Sequence, residues 1–218
     1  ANITGQSFGG LMASGLLNVV GEHMNGLQMA GIANITASKL NGVQIALCNY
    51  ATQARGLQIG LVNYYKEDMK GFQLGLVNAN PDTRVQMMVY GGNATPANIG
   101  VRFKNQLFYT ILGIGSMYQG LNDKFSASAS YRAGLSFTLY KGLSISGDLG
   151  YQHIEAFDNK DEVIPKRLYA LQARANLEYQ FTRKFGIFAT GGYGLTRFYN
   201  KSSNYDKGAI IEAGIVLF

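Results

Sequence analysis

Two histidines, His23 and His153, are the only side chains of this 218-residue chain that ordinarily change charge near neutral pH. His153 stands two residues from Glu155 and just ahead of Asp158, Asp161 and Glu162. An imidazole with carboxylates at that spacing could act as a base in hydrolysis or hold a metal. The pattern stops short of either, because the sequence places no serine nucleophile or second histidine beside it. It reads as the solvated start of a loop. Asp158-Asn-Lys-Asp-Glu162 resembles the opening of a calcium loop but lacks the downstream Gly and Glu. Gly191-Gly-Tyr-Gly194 has no helix after it, as a phosphate loop would require, and suits bends or close packing in a barrel wall instead. His23 falls in a connection between repeats. No catalytic, cofactor-binding or metal site is assigned, so the chain is expected not to be an enzyme.

Composition says what kind of scaffold carries these residues. Only 15% are charged, below the roughly one quarter usual in soluble globular proteins. Glycine (28), tyrosine (14) and phenylalanine (12) are abundant and proline (3) is scarce, which points to an all-β chain. The net charge of +6 comes from scattered Lys and Arg without a basic run, which argues against nucleic-acid binding. Cys48 is the single cysteine, so neither an internal disulfide nor a cysteine zinc site is possible. Its equivalents in other repeats are Ala or Val, and a small core residue is expected there. No run of about 18 apolar residues occurs, which excludes a spanning helix. The chain opens Ala-Asn-Ile-Thr without a basic, apolar leader, so an exported form would have lost its signal peptide.

The first 83 residues repeat themselves. Near-copies run Gly10–Asn18, Gly26–Asn34, Gly42–Asn49, Gly56–Asn63 and Gly71–Asn78. Asn recurs at Asn18, Asn34, Asn49, Asn63 and Asn78, and Gln at Gln28, Gln44, Gln58 and Gln73, with Gln86 as a degenerate sixth copy. Such periodicity fixes architecture before any other motif is read. Within one unit Leu57, Ile59, Leu61 and Asn63 share one strand face, and Gln58, Gly60 and Val62 the other. A further apolar residue stands two before each glycine, as in Met24, Leu40, Ala54 and Met69.

Two architectures fit. In a solenoid-like β-repeat segment each unit is a coil, with Leu and Ile stacked inside and Asn and Gln bonding along ladders that satisfy buried amides. Alternatively the repeats are wall strands of a single larger barrel of 12–14 strands. The nearly uniform connections favour the solenoid, since outer-membrane barrels alternate short turns with long loops. The small, uncharged face of Gln58, Gly60 and Val62 predicts that it packs on something or lines a confined space.

Residues 84–218 change to a period of two. From Phe125 to Leu139 the odd positions are apolar or aromatic, while the even ones are Ser, Gly, Thr and Arg132. Residues 168–182 repeat the alternation. Runs of this length suit strands crossing a bilayer at a tilt, apolar outside and polar inside. Expected strands at 84–91, 97–104, 106–117, 125–140, 142–157, 168–182, 184–199 and 207–218 make a transmembrane antiparallel barrel of about eight. Closure is demanded, because an open edge in lipid leaves backbone groups unpaired. Tyr109, Tyr131, Phe137, Tyr151, Tyr169, Tyr179, Phe181, Phe185, Tyr193 and Tyr199 lie toward strand ends, as girdle residues do. Inward charges are expected to be Arg102, Arg132 and Arg174 against Asp148, Glu178 and Glu212, an ion-pair network that fills the lumen. Phe218 shares parity with Glu212, which predicts a twist or bulge at the end of the last strand. Asn34-Ile-Thr and Asn93-Ala-Thr match a glycosylation sequon of little meaning in a bacterial barrel.

The G-x-Q-x-G-x-x-N units ahead of a glycine- and tyrosine-rich barrel resemble a family of bacterial surface-repeat outer-membrane proteins, whose repeat is roughly Gly-Val-Gln-Ile-Gly-Leu-Val-Asn. Residues 10–78 carry the resemblance, and Phe108-Tyr-Thr-Ile-Leu is a weaker echo. It implies location and architecture rather than a reaction. The expectation is an integral outer-membrane β-barrel of a Gram-negative bacterium with a structural or interaction role at the cell surface. In it the repeats dock a partner or pack on the barrel. A passive pore for small solutes through a larger barrel, or an outer-membrane enzyme of the lipid A or protease kind, are the alternatives. The expected partners are outer-membrane lipid, lipopolysaccharide and another outer-membrane or surface protein.

Overall fold

The computed structural model describes residues 1–116, 125–157, 167–199 and 204–218. The calcium-loop fragment at 158–162 lies outside them. The chain forms two compact units, Ala1–Thr83 and Arg84–Phe218.

In the first unit eight strands pair only in parallel. They are β1 (Asn2–Thr4), β2 (Phe8–Ser14), β3 (Leu17–Val20), β4 (His23–Ala30), β5 (Ala33–Ile45), β6 (Cys48–Ile59), β7 (Val62–Leu74) and β8 (Val77–Ala79). Equivalent repeat residues are register partners, as in Asn34↔Asn49, Gly42↔Gly56 and Gln44↔Gln58. The unequal repeat lengths are absorbed by register shifts between Thr36 and Lys39 and between Ala51 and Gln53. The arrangement is solenoid-like. Parallel pairing among the repeats rules out their use as antiparallel wall strands, so the larger barrel is not formed.

The repeat glycine has a steric reason. Gly42 sits at φ +141°, and a Cβ there would lie 1.9 Å from the carbonyl oxygen of Gly26 in the preceding coil. Only a residue without a side chain lets successive backbones pair at this point.

The interior reverses one expectation. Gln28, Gln44, Gln58 and the ladder asparagines are buried, whereas Leu47, Leu61 and Leu74 are exposed and Leu57 and Ile59 half-exposed. The bend at Gly60–Leu61 resets the alternation. Asn63 therefore points inward although Leu57 and Ile59 point out. The face of Gln58 is the confined one, as its composition indicated. Apolar packing inside comes from Met24, Leu40 and Ala54 with Met12, Val20 and Ala51, and Phe8 and Met69 lie against them. Cys48 is exposed rather than in the core, because it shares the outward parity of Tyr50.

The second unit is a closed antiparallel barrel of eight strands. They are β9 (Arg84–Gly92), β10 (Ala97–Asn105), β11 (Phe108–Ser116), β12 (Ser126–Tyr140), β13 (Leu143–Ala156), β14 (Arg167–Thr182), β15 (Phe185–Phe198) and β16 (Asn204–Leu217). Closure comes from β16 pairing β9, as in Ile215↔Val89. Two-residue turns at 106–107, 141–142 and 183–184 alternate with the four residues 93–96 and with longer stretches of sequence between β11 and β12, β13 and β14, and β15 and β16. Gly142 takes φ +79° at one of the short turns. Arg84 pairs with Lys104, so the chain enters the barrel at its short-turn end.

The last strand keeps its register from Lys207 to Leu217, without the expected bulge. Phe218 retains inward parity because it packs against the buried cluster of Met88, Phe188 and Val216. Gln86 belongs to β9 and is no sixth repeat.

Candidate functional site

The six charges expected inside the barrel meet one another. Arg102 grips Glu178 with bonds of 2.6 and 3.0 Å, and its Nε donates to Gln86. Arg132 donates to both oxygens of Asp148 at 2.8 Å. Arg174 donates to both oxygens of Glu212 at 3.1 and 3.2 Å, and Arg132 Nη1 lies 3.7 Å from the same carboxylate. Three cations and three anions on β10, β12, β13, β14 and β16 thus neutralise each other in the barrel's interior. Strand alternation brings them together, since each sits at an inward position of its strand.

Neutral groups complete the network. Tyr109 and Asn176 each donate to Asp148 at 2.8 Å, and Thr190 donates to Asn176. Tyr109 is therefore a lumen residue and leaves the expected girdle. The phenol has a carboxylate to reach inside, and its strand turns that face inward. Inward glycines make room for the charges. A Cβ at Gly192 would come within 3.1 Å of Arg174 Cγ, and one at Gly150 within 3.0 Å of Arg174 Nη1. Arg174 crosses Gly192 on β15 to reach Glu212 on β16. The signal in the sequence was a glycine at an inward position beside a charged strand, and parity alone does not weigh it.

Apolar clusters lie along the lumen as well. Met88, Tyr90, Ile111, Phe188 and Val216 form one. Ile154, Ala156, Leu168 and Ala170, with Phe198, form another near the long-connection end. A narrow lumen filled this way is a packed core.

The outer wall is the opposite. Leu149 is 72% exposed halfway along β13, and Ile114, Leu135, Leu171, Ile187 and Ile211 are exposed on other strands of the barrel. A water-facing barrel would reverse this polarity. This is a transmembrane barrel. Tyr151, Tyr169, Tyr179, Phe181 and Phe185 form paired aromatic contacts on its wall, as a girdle does. His153 shares this outer face, where Tyr199 contacts Nδ1 at 2.7 Å and Glu155 lies 3.4 Å from Nε2. Glu155 is also held by Arg167. Among the described residues no cluster of three or more His, Cys, Asp or Glu side chains could hold a metal.

The repeat unit holds a second polar interior. Asn2, Asn18, Asn34, Asn49, Asn63 and Asn78 form one continuous ladder, each donating to the next coil at 2.9–3.1 Å. The glutamine ladder runs the other way: Gln44 donates to Gln28, Gln58 to Gln44 and Gln73 to Gln58, at 2.8–2.9 Å. Second hydrogens fix both directions, because Asn34 and Asn49 also donate to backbone carbonyls and Gln44 to Tyr50 O. The two rows of side-chain dipoles therefore oppose each other.

No family model and no curated protein matches the sequence. Similar solved structures include the N-terminal β-barrel domain of Pseudomonas aeruginosa OprF, 15% identical, covering 61% of this chain and 93% of that one at a TM-score of 0.42. Neisserial surface protein A is 9% identical over 61% and 92% of the two chains, with a TM-score of 0.38. The Yersinia pestis outer membrane protein Ail is 16% identical over 61% and 96%, with a TM-score of 0.37. At such scores these likenesses decide nothing, and the polarity of the wall decides instead. An even-stranded closed antiparallel barrel, apolar outside and alternating short and long connections, belongs to the outer membrane of a Gram-negative bacterium.

Proposed function

We propose that this protein is a non-enzymatic structural and interaction component at the cell surface, its barrel an ion-pair-plugged anchor rather than a channel. The repeats are, on this reading, those of the surface-repeat family they resemble; they join the barrel at its short-turn end, the periplasmic end in such barrels, and serve contact with envelope components on that side. The observation that carries it is the mutual neutralisation of Arg102, Arg132 and Arg174 by Glu178, Asp148 and Glu212. Those six charges are spent on one another, so none of them is left as a poised acid or base or as the lining of an open polar path. Planar-bilayer recording of the purified chain is expected to give no discrete conductance steps. Reproducible open-channel steps would overturn the reading.

A further inference from the structure

The outer surface of the repeat unit is sharply divided. Along β4 to β7 one outward column holds Leu27, Val43, Leu57 and Phe72. The next holds Met29, Ile45, Ile59 and Leu74. Around the following bend come Leu16, Ile32, Leu47, Leu61 and Leu76, all exposed. These columns form one apolar corner running the length of the stack, roughly 20 Å at about 4.8 Å per coil. Phe72, at 76% exposure, is its most exposed member.

Both borders of the corner have the chemistry of a membrane interface. On one side Asn41, Arg55 and Lys70 stack directly beside the Val43, Leu57 and Phe72 column. Long cationic side chains there can lay their stems on apolar surface and keep their charges in the headgroups. On the other side Tyr50 and Tyr64 stack with ring centroids 5.8 Å apart, and tyrosine favours the boundary between hydrocarbon and water. Inside, the Gln and Asn ladders share the interior with the apolar cluster of Met24, Leu40 and Ala54. Buried amides beneath three exposed apolar columns repeat the polarity of the barrel wall, and leaving those columns in water is costly.

We propose that the apolar corner of the repeat unit inserts into phospholipid of the membrane that holds the barrel. The inference rests on reading the second unit as an outer-membrane barrel. It favours lipid over a second copy because the cationic and tyrosine borders match headgroups, and because only residues 80–83 separate the last repeat strand from a membrane-anchored strand. It favours phospholipid over lipopolysaccharide because the chain enters the barrel at its short-turn end, and short turns face the periplasm.

The chain has no tryptophan, so Phe72→Trp and Leu61→Trp each give a lone reporter on an exposed side chain. The full-length variants are reconstituted in phosphatidylethanolamine–phosphatidylglycerol vesicles with and without brominated acyl chains. Both emissions are expected to be blue-shifted and to lose intensity when bromine is present. Leu149→Trp, on the barrel wall, reports on the second unit separately. Quenching of Leu149→Trp without quenching of Phe72→Trp or Leu61→Trp overturns the inference and leaves the barrel reading intact. In that case red emission open to aqueous iodide places the corner in water, and blue emission untouched by bromine places it against protein. An unquenched Leu149→Trp removes both readings.

Discussion

Arg132 holds Asp148 through two hydrogen bonds of 2.8 Å, and both side chains are almost completely removed from solvent. Their strands are neighbours, yet Asp148 is the register partner of Arg174, while Arg132 faces Gly150. The carboxylate therefore reaches diagonally, and Gly150 is what leaves Arg132 space to meet it.

Breaking this pair from one side leaves a buried charge. Arg132→Met is expected to cost about 3–5 kcal/mol, and Arg132→Met with Asp148→Leu to recover much of that loss. Urea titration of the vesicle-folded protein, read by heat-modifiable gel mobility, compares the two. A double variant no more stable than the single one would show that the pair is not the source of the penalty.

Asn49 sits in the middle of the ladder, accepting from Asn34 and donating to Asn63 and Ile59 O. Asn49→Leu keeps the branched shape of the side chain and leaves those groups unpaired, at about 1–3 kcal/mol for each buried one. Asn2→Leu, at the half-exposed start of the ladder, is expected to cost less. Protease resistance of residues 1–83 in the folded chain is the readout.

Gly42 and Gly10 occupy the same repeat position with φ +141° and +112°, but only Gly42 has a neighbouring backbone in the way. Gly10→Ala meets conformational strain alone, of order 1–3 kcal/mol. Gly42→Ala adds overlap with Gly26 O and is expected to unravel the stack. Equal proteolysis of the two variants would contradict the steric account.

A charge on the wall separates lipid-facing from lumen-facing positions. Leu149→Arg is expected to cost about 2–4 kcal/mol in vesicles, as arginine does near the bilayer midplane. Exposed on a water-soluble surface, the same change would be close to neutral.

The barrel was legible because one physical constraint governs every residue of it. Strands such as β12 and β14 alternate from end to end, so parity assigned Arg132, Arg174 and Glu178 to the lumen directly. Parity failed where the chemistry of a side chain worked against its usual role. Tyr109 resembles a girdle residue but has Asp148 to bond inside, and Phe218 looked out of register although it packs on Val216. In the repeats spacing picked out the ladder positions and favoured coils, with wall strands of a larger barrel as the alternative, and the parallel register decides between them. What spacing left open was which face turned in: leucine is assigned inward by default in water, and the amides satisfied one another instead. Gly60 conceals the switch, because a bend there restarts the alternation.

The membrane assignment depends most on hydrocarbon lying against the barrel's outer wall. Leu149→Trp, the sole tryptophan in its variant, tests this when the folded chain is placed in vesicles brominated deep in the acyl chains. Strong quenching with blue emission is predicted. Unquenched emission that aqueous iodide suppresses would mean that water bathes this wall, and the assignment to a membrane would fail.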